Sequence, residues 1–447
     1  MRHTLACVAA AVALACAAPA QALDLQQAFA GALLHDAQFR AALKDKSAGL
    51  IYRELGLASL LPQLSWSYTD NQNQLSRTAI DNSGVPITDH PNYRSTSNVL
   101  SLRQSLINFE GMARYRQGEA QTSQSLAVFD SQTNALAIRL VDAYANALFT
   151  MDQIELSEAE SVAYEELMKA NDALWKKGEG TRTDAIETRS RYLVSQSQLM
   201  ELRGALDAAL RQLEGVVGPD LRPAFAALRG LRAQFRTGAL TPDTVEAWQE
   251  LALNGDPEIQ AMRHAVEAAR QDVERARAGH MPRVDLVASS SRTLSETTNT
   301  INQRMVNQSA GVQVSLPLYS GGSVDAVTRQ SVANQEKAQA QLDAKINEVM
   351  VDLRKQFNLV KSGSAKIAAL DEAVASAENQ VVAMRKSIAG GQRVNADLLN
   401  AIQQLRTVKR DRAQARYAYL GAWLRLKAHT GAVTDEDMGK LAGYFRP

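Results

Sequence analysis

Chemistry in an enzyme needs nucleophiles, acids and bases, or metal ligands at workable spacings. His35, His90, His264, His280 and His429 are scattered, with no i, i+4 pair and no glutamate-rich companion for a zinc site. His280 falls at an expected helix–strand junction and reads as a surface residue rather than a ligand. There is no G-x-S-x-G elbow and no phosphate loop. Gly178-Glu179-Gly180 begins a dinucleotide-type pattern, but Thr183 stands where the third glycine belongs and no strand precedes it. The two cysteines, Cys7 and Cys16, lie in the first residues. The chain reads as one that catalyses nothing and carries no cofactor and no metal.

Two acids do sit at matching places. Asp184 closes the segment Gly178-Glu179-Gly180-Thr181-Arg182-Thr183-Asp184, and Asp397 closes Gly391-Gln392-Arg393-Val394-Asn395-Ala396-Asp397. Aspartate after a glycine turn has two uses: it caps the helix that follows, or it presents a carboxylate to a cation. Both uses stay open at this point, and both can hold at once.

The elements that position these turns are legible from pattern. Residues 1–22 read as a secretory signal peptide: Arg2 at the start, an apolar run from Leu5 to Ala18, and Ala20-Gln21-Ala22 at the end. Cys16 as a lipid-attachment cysteine is the rival reading of that segment. Of 49 Lys plus Arg and 48 Asp plus Glu, cleavage removes Arg2 alone, which leaves a net charge of zero. That argues against nucleic acid as a partner. No later apolar run is long enough for a membrane helix, so any membrane-spanning part must be a β-barrel.

The chain is written twice. Pro62 and Pro282 stand 220 positions apart, as do Asp36 and Asp256, while Gly178 and Gly391, Asp184 and Asp397, and Gly218 and Gly431 stand 213 apart. The expected organisation is repeat 1 over 23–218 with a hairpin near 63–108, a linker over 219–242, repeat 2 over 243–431 with a hairpin near 283–319, and a C-terminal segment over 432–447. Each repeat reads as helix, two strands, long helix, turn, helix. Leu64, Trp66 and Tyr68 alternate with Ser65, Ser67 and Thr69, and Val312, Val314 and Leu316 alternate with Gln313 and Ser315. Such alternation fits a strand between lipid and a wet lumen, or one face of a soluble sandwich. The polar stretch from Asn71 to Arg94 reads as strand ends and an exposed loop.

The helices carry a heptad seam. Ile346, Leu353, Val360, Ile367, Val374, Val381 and Ile388 recur at sevens; the second track, from Leu342 and Val349 to Leu370, Ala377 and Met384, breaks at Gln356 and Gly363. The first repeat keeps Leu140, Ala147, Ile154, Met168 and Trp175. That is an a/d seam. Four strands cannot close a membrane barrel, so several copies must pool their strands.

The motifs Leu61-Pro62-Gln63-Leu64, Met281-Pro282-Arg283-Val284 and Ser315-Leu316-Pro317-Leu318-Tyr319-Ser320-Gly321-Gly322, with the two glycine turns, resemble the TolC family of outer-membrane factors over essentially the whole mature chain. The resemblance implies an α+β membrane protein. Long antiparallel coiled-coil helices form a periplasmic α-barrel, and four strands per chain join a trimeric, twelve-stranded β-barrel in outer-membrane lipid. It implies a belt built from the linker and the C-terminal segment. It places Pro62, Pro282 and Pro317 at helix–strand junctions, with Ser105 where the first copy lacks its proline. It implies a periplasmic gate of Thr183, Asp184, Arg393, Asp397 and Asn400, with Arg393 reaching Asp184 or Thr183 and Asp397 lining the constriction. Asn400 stands where many relatives carry a second acid, and Ile388 where some carry tyrosine. It implies a docking surface for a periplasmic adaptor at Gly178, Gly180, Arg182, Gly391, Gln392 and Arg393, fed by an inner-membrane transporter, ATP-driven or proton-driven. Two cargo classes remain, protein export and small-molecule efflux; Tyr319 leans toward the first. A periplasmic coiled-coil scaffold without a pore is the reading from a different class.

Overall fold

The computed structural model describes residues 23–297, 300–390 and 395–446. The expected leader, with Cys7 and Cys16, lies outside the described residues, as do Gly391, Gln392 and Arg393. The chain runs α1 (Leu25–His35), α2 (Ala37–Gly49), α3 (Tyr52–Ala58), β1 (Gln63–Gln74), β2 (Arg77–Ile80), β3 (Pro86–Asp89), β4 (Asn92–Ile107), α4 (Phe109–Lys177) and α5 (Arg182–Val217). A 3-10 turn, Pro219–Ala227, leads to α6 (Val245–Gly255), α7 (Pro257–Arg277), β5 (Arg283–Thr297), β6 (Thr300–Ser315), α8 (Ser323–Ala389), α9 (Asn395–Ala428) and α10 (Asp435–Ala442). Two compact units result, and each draws on both halves of the sequence. One holds residues 46–126 and 261–343; the other holds 23–45, 127–260 and 344–446.

The first unit is built on a four-stranded antiparallel sheet in the order β1-β4-β5-β6. Register sorts its residues onto two faces. Leu64 pairs with Leu102, Trp66 with Leu100, Gln104 with Leu286, Leu286 with Val312 and Val284 with Val314. Successive side chains point to opposite faces, so these, Gln104 apart, form one apolar face. Ser65, Ser101, Ser289 and Ser309 lie on the other, joined in pairs by hydroxyl hydrogen bonds of 2.7 and 2.9 Å. The apolar face is open: Trp66 is 66% exposed and Val314 also 66%. Strands β1 and β6 are its edges, each paired on one side among the described residues.

Two details depart from expectation. The polar stretch 71–94 is not a plain loop, since β2 and β3 form a small hairpin of their own. Arg77 donates to Asp89 across it at 2.9 Å, and Asp81 Oδ1 accepts from the N–H groups of Ser83 and Val85 to shape the turn. Ser105 sits within β4 at a β-bulge between Ser105 and Ile107, so this strand is re-aimed by an extra residue where a proline would have ended it. Pro62 and Pro282 immediately precede β1 and β5, and Pro317 follows β6. Proline ends helices and is tolerated at strand starts. Helix α3 approaches α4 so closely that a Cβ on Gly56 would stand 2.7 Å from the Arg114 carbonyl oxygen.

The second unit is helical. Its seam is buried at Leu353, Val360, Ile367 and Val374 on α8, and at Leu136, Leu140 and Ala147 on α4. Gln356, a break in the pattern, is buried and donates to Asp352 at 3.0 Å. The other break, Gly363, makes room for Tyr419, whose Cδ2 would lie 3.4 Å from an added Cβ. Helix α4 has 69 residues and α8 has 67, about 100 Å each at 1.5 Å per residue. The linker meets the C-terminus through a bridge between Leu231 and Phe445, flanked by Arg232 N–H to Tyr444 C=O at 3.0 Å and Arg446 N–H to Gly230 C=O at 3.1 Å.

The single helix expected before each hairpin is broken, at Asp36 and at Asp256. Each buried carboxylate turns to the helix that follows. Asp36 Oδ1 accepts from Phe39 N–H at 2.7 Å, and Asp256 Oδ1 from Glu258 and Ile259 N–H at 2.8 and 3.1 Å. Their cations differ. Asp36 is met by Arg139 at 2.9 Å; Asp256 is met by His429 Nδ1 at 2.7 Å, while His429 Nε2 lies 3.2 Å from Asp352. Burial works against a charge on His429, but hydrogen bonds to the two carboxylates outweigh it and hold the imidazole above its ordinary 6.5. An upward shift stabilises the fold fully below the unfolded value, and that contribution fades as pH rises through the folded one. His429→Gln therefore costs about 1–2 kcal/mol of unit stability at pH 6. The difference in thermal midpoint between variant and parent narrows steadily as the measurement moves into the alkaline range.

Candidate gate at the helix turns

The turn between α4 and α5 starts where Gly178 takes φ = +76°, a conformation that side chains resist. Gly178 N–H bonds to Trp175 C=O at 3.0 Å, and Glu179 and Gly180 N–H to Leu174 C=O at 3.0 and 3.2 Å, closing the helix end. Lys176 and Lys177 face the negative end of the helix dipole. Thr181, not Asp184, is the N-cap of α5: its hydroxyl accepts from Asp184 N–H at 3.1 Å and donates to the Asp184 carboxylate at 2.6 Å. The N-cap reading of Asp184 is thereby corrected. Its carboxylate is held two residues inside the helix start. Arg182 and Thr183 beside it are exposed.

The second turn is described up to Gly390, whose N–H bonds to Lys386 C=O at 3.1 Å. Asn395 begins α9, so Asp397 lies inside the first helical turn and is not the cap either. Asn400 is exposed one turn on, beside buried Leu398 and Leu399. Arg393, the expected partner of Asp184, lies outside the described residues.

Three helices meet here on a residue that sequence reasoning gave no role. Thr188 is buried. Its hydroxyl donates to Asp184 C=O at 2.6 Å and accepts from Asn171 of α4 at 2.8 Å and Asn395 of α9 at 3.1 Å. Further along, Arg191 donates to Gln403 at 2.9 Å, and Arg406 donates to Gln198 at 2.9 Å. These bonds tie α5 to α9 within one chain.

At the next level, Gln196 donates to Ser161 at 2.6 Å and Tyr164 donates to the buried Glu160 at 3.3 Å. The second Glu160 oxygen lies 3.2 Å from Arg406 Nε. It takes no hydrogen bond among the described residues, so that contact is an ion pair without aligned geometry. Burial pushes the Glu160 carboxyl upward; the Arg406 charge and the Tyr164 hydroxyl pull it back. The apolar neighbours are Val381, Leu398, Leu399 and Ile402, with Ile388 packed against them.

The sequence held a signal for this node. The first-repeat seam, Leu140, Ala147, Ile154, then Met168, skips one heptad position, and that position is Ser161. A polar gap in an apolar seam marked the place where polar groups cross.

The matches to known proteins cover nearly the whole chain. The outer membrane efflux protein family matches residues 29–219 and 248–432. The chain belongs to that family. It is 42% identical to the alkaline protease secretion protein AprF of Pseudomonas aeruginosa, over 95% of this chain and 88% of that one. It is 37% identical to the proteases secretion protein PrtF of Dickeya chrysanthemi, over 96% and 92%. It is 26% identical to the outer membrane protein TolC of Escherichia coli, over 94% and 84%. In fold it is similar to the outer-membrane channel OprN, with a TM-score of 0.79 at 18% identity, over 92% of this chain and 90% of that one. The long helices with a few antiparallel strands are those of a TolC-like channel, a transport protein of the outer membrane.

Arg406→Gln leaves Glu160 buried without its cation. We expect a loss of about 2 kcal/mol, reduced from the fully buried case because Arg406 is partly exposed. Adding Glu160→Gln restores part of it, which a double-mutant cycle on thermal unfolding measures.

Proposed function

We propose that this chain is the outer-membrane duct of a type I protein secretion system, working as a homotrimer and passing an exported protein, a protease in the first instance. The observation that carries the duct is the sheet: four strands, two open edges and an exposed apolar face. In lipid such edges must be paired, and copies of the same chain offer matching strands. An even strand number keeps neighbours antiparallel around the ring, so β6 of one copy meets β1 of the next. The cargo rests on the similarity to AprF and PrtF, whose names state protease secretion, and on Tyr319.

Asp184 and Asp397, with Thr183, Asn400 and Arg393, form the periplasmic constriction, and the exposed turn at Gly178, Gly180 and Arg182, with Gly391, Gln392 and Arg393, receives a periplasmic adaptor. The adaptor belongs to an ATP-driven inner-membrane transporter. The ties from Thr188 to Asn395 and from Arg191 to Gln403 hold the closed state. Passage is passive, with energy supplied by the partner.

Two measurements test this. Asp184→Ala raises single-channel conductance of the purified oligomer in planar bilayers; unchanged conductance removes Asp184 from the gate. A photo-crosslinking residue at the exposed Glu179 captures the adaptor of a protein-exporting ATPase in cells. Capture of a proton-driven pump's adaptor would reassign the duct to small-molecule efflux.

A further inference from the structure

Glu160 of α4 sits where α5 and α9 come together, and it is 6% exposed. A carboxylate so enclosed needs its lone pairs answered. Its first oxygen accepts from Tyr164 at 3.3 Å. Its second takes no hydrogen bond among the described residues, and its ion-pair partner, Arg406 Nε, stands 3.2 Å away out of line. Three residues earlier, on the same face of α4, the Ser157 hydroxyl is buried and also without a partner among the described residues. Two orphan oxygens within one turn mark packing that the ionised carboxylate does not complete.

The cation is shared. Arg406 Nη1 donates to Gln198 of α5 at 2.9 Å, so this guanidinium serves two helices at once. Arg191 of α5 adds a weaker pull on Glu160 through space and is itself bonded to Gln403 at 2.9 Å. Lys409, one turn beyond Arg406, is held by Glu378 of α8 at 2.7 Å. The α8 residues of the surrounding cluster, Val381 and Met384, are apolar, and Tyr192 of α5 packs with them.

We propose that Glu160 is a proton-operated latch between α4 and its two neighbours: with the proton bound the helices stay packed, and with the proton lost they are biased to separate. A neutral carboxyl is buried at far lower cost than a carboxylate. Ionisation is relieved when water reaches the second oxygen, and that requires α4 to part from α9. Burial is the largest influence on this carboxyl and raises it above its ordinary 4.5, against the pull of Arg406, Tyr164 and Arg191. A carboxyl that holds its proton more tightly when packed than when wet stabilises the packed state as pH falls. The latch therefore tightens in acid and loosens toward neutral and alkaline pH. The inference rests on the reading of these helices as the gate of a duct.

Single-channel recording of the purified full-length oligomer in planar bilayers, from about pH 5 to about pH 8, tests it. The ratio of open to closed events falls at least about threefold toward acid. Glu160→Gln, which cannot ionise, stays at the parent's acid level at every pH, so the step disappears. Arg406→Gln keeps the step and moves it to higher pH, because the charge that favours the carboxylate is gone. Amide hydrogen exchange over residues 157–164 of the parent gives a second reading that needs no variant: corrected for its intrinsic pH dependence, exchange slows toward acid. A step that survives Glu160→Gln unaltered belongs to other groups, such as Asp184 or Asp397, and overturns the latch, as does exchange that quickens toward acid. A parent that conducts equally at every pH overturns the latch and leaves the duct standing. A parent that opens no channel at any pH overturns both.

Discussion

A backbone amide in hydrocarbon has no water to turn to, and leaving it unpaired costs several kcal/mol. Strands β1 and β6 each carry a row of such groups along an unpaired edge. The apolar face between them, with Leu64, Trp66, Leu100, Leu102, Val312 and Val314, is open rather than packed. A soluble sandwich would cover that face with a second sheet, and none lies over it among the described residues. The one solution that satisfies both the edges and the face is a closed ring of strands in lipid. One chain supplies four, so association precedes function. The proposed docking turns and gate are then properties of the assembly.

The helices obey a different constraint. A seam of apolar residues at sevens packs helices together and, left uninterrupted, offers no reason to open. In this chain the seam is interrupted by design of residue type. Ser161 replaces an apolar position, the buried Glu160 pairs with the partly exposed Arg406 beside it, and Thr188 gathers bonds from Asn171 and Asn395. Hydrogen bonds between helices carry direction, and exchanging one partner for another costs less than repacking an apolar core. Such ties suit helices that must separate and return.

Much of this was readable beforehand. Alternation over Leu64, Trp66 and Tyr68 placed the strands, and the heptads from Ile346 placed the core of α8, because each pattern follows from the geometry of its element. Other features were not readable. The breaks at Asp36 and Asp256 depend on side chains that cap the next helix while meeting Arg139 and His429, more than a hundred residues away in sequence. The hairpin of β2 and β3 hid in a polar stretch because both its faces are wet, so no alternation marks it. Thr181 is the cap because the helix begins at Arg182, and Asp184, three residues on, answers it with its own N–H and carboxylate. The Thr188 hub was invisible because its partners, Asn171 and Asn395, come from two other helices.

Pooling of strands between copies is best tested at the edges themselves. Cysteines placed in pairs along β1 and β6 on the polar face, at positions such as Ser65 and Gln313, are oxidised in membranes, and the products are separated under denaturing conditions. Within one chain these strands are separated by two others, roughly 14 Å at the usual strand spacing, beyond the reach of a disulfide. The account predicts that at least one register gives covalent dimers and trimers and nothing larger. A chain that stays monomeric in every register, in membranes where it is inserted, contradicts the shared barrel.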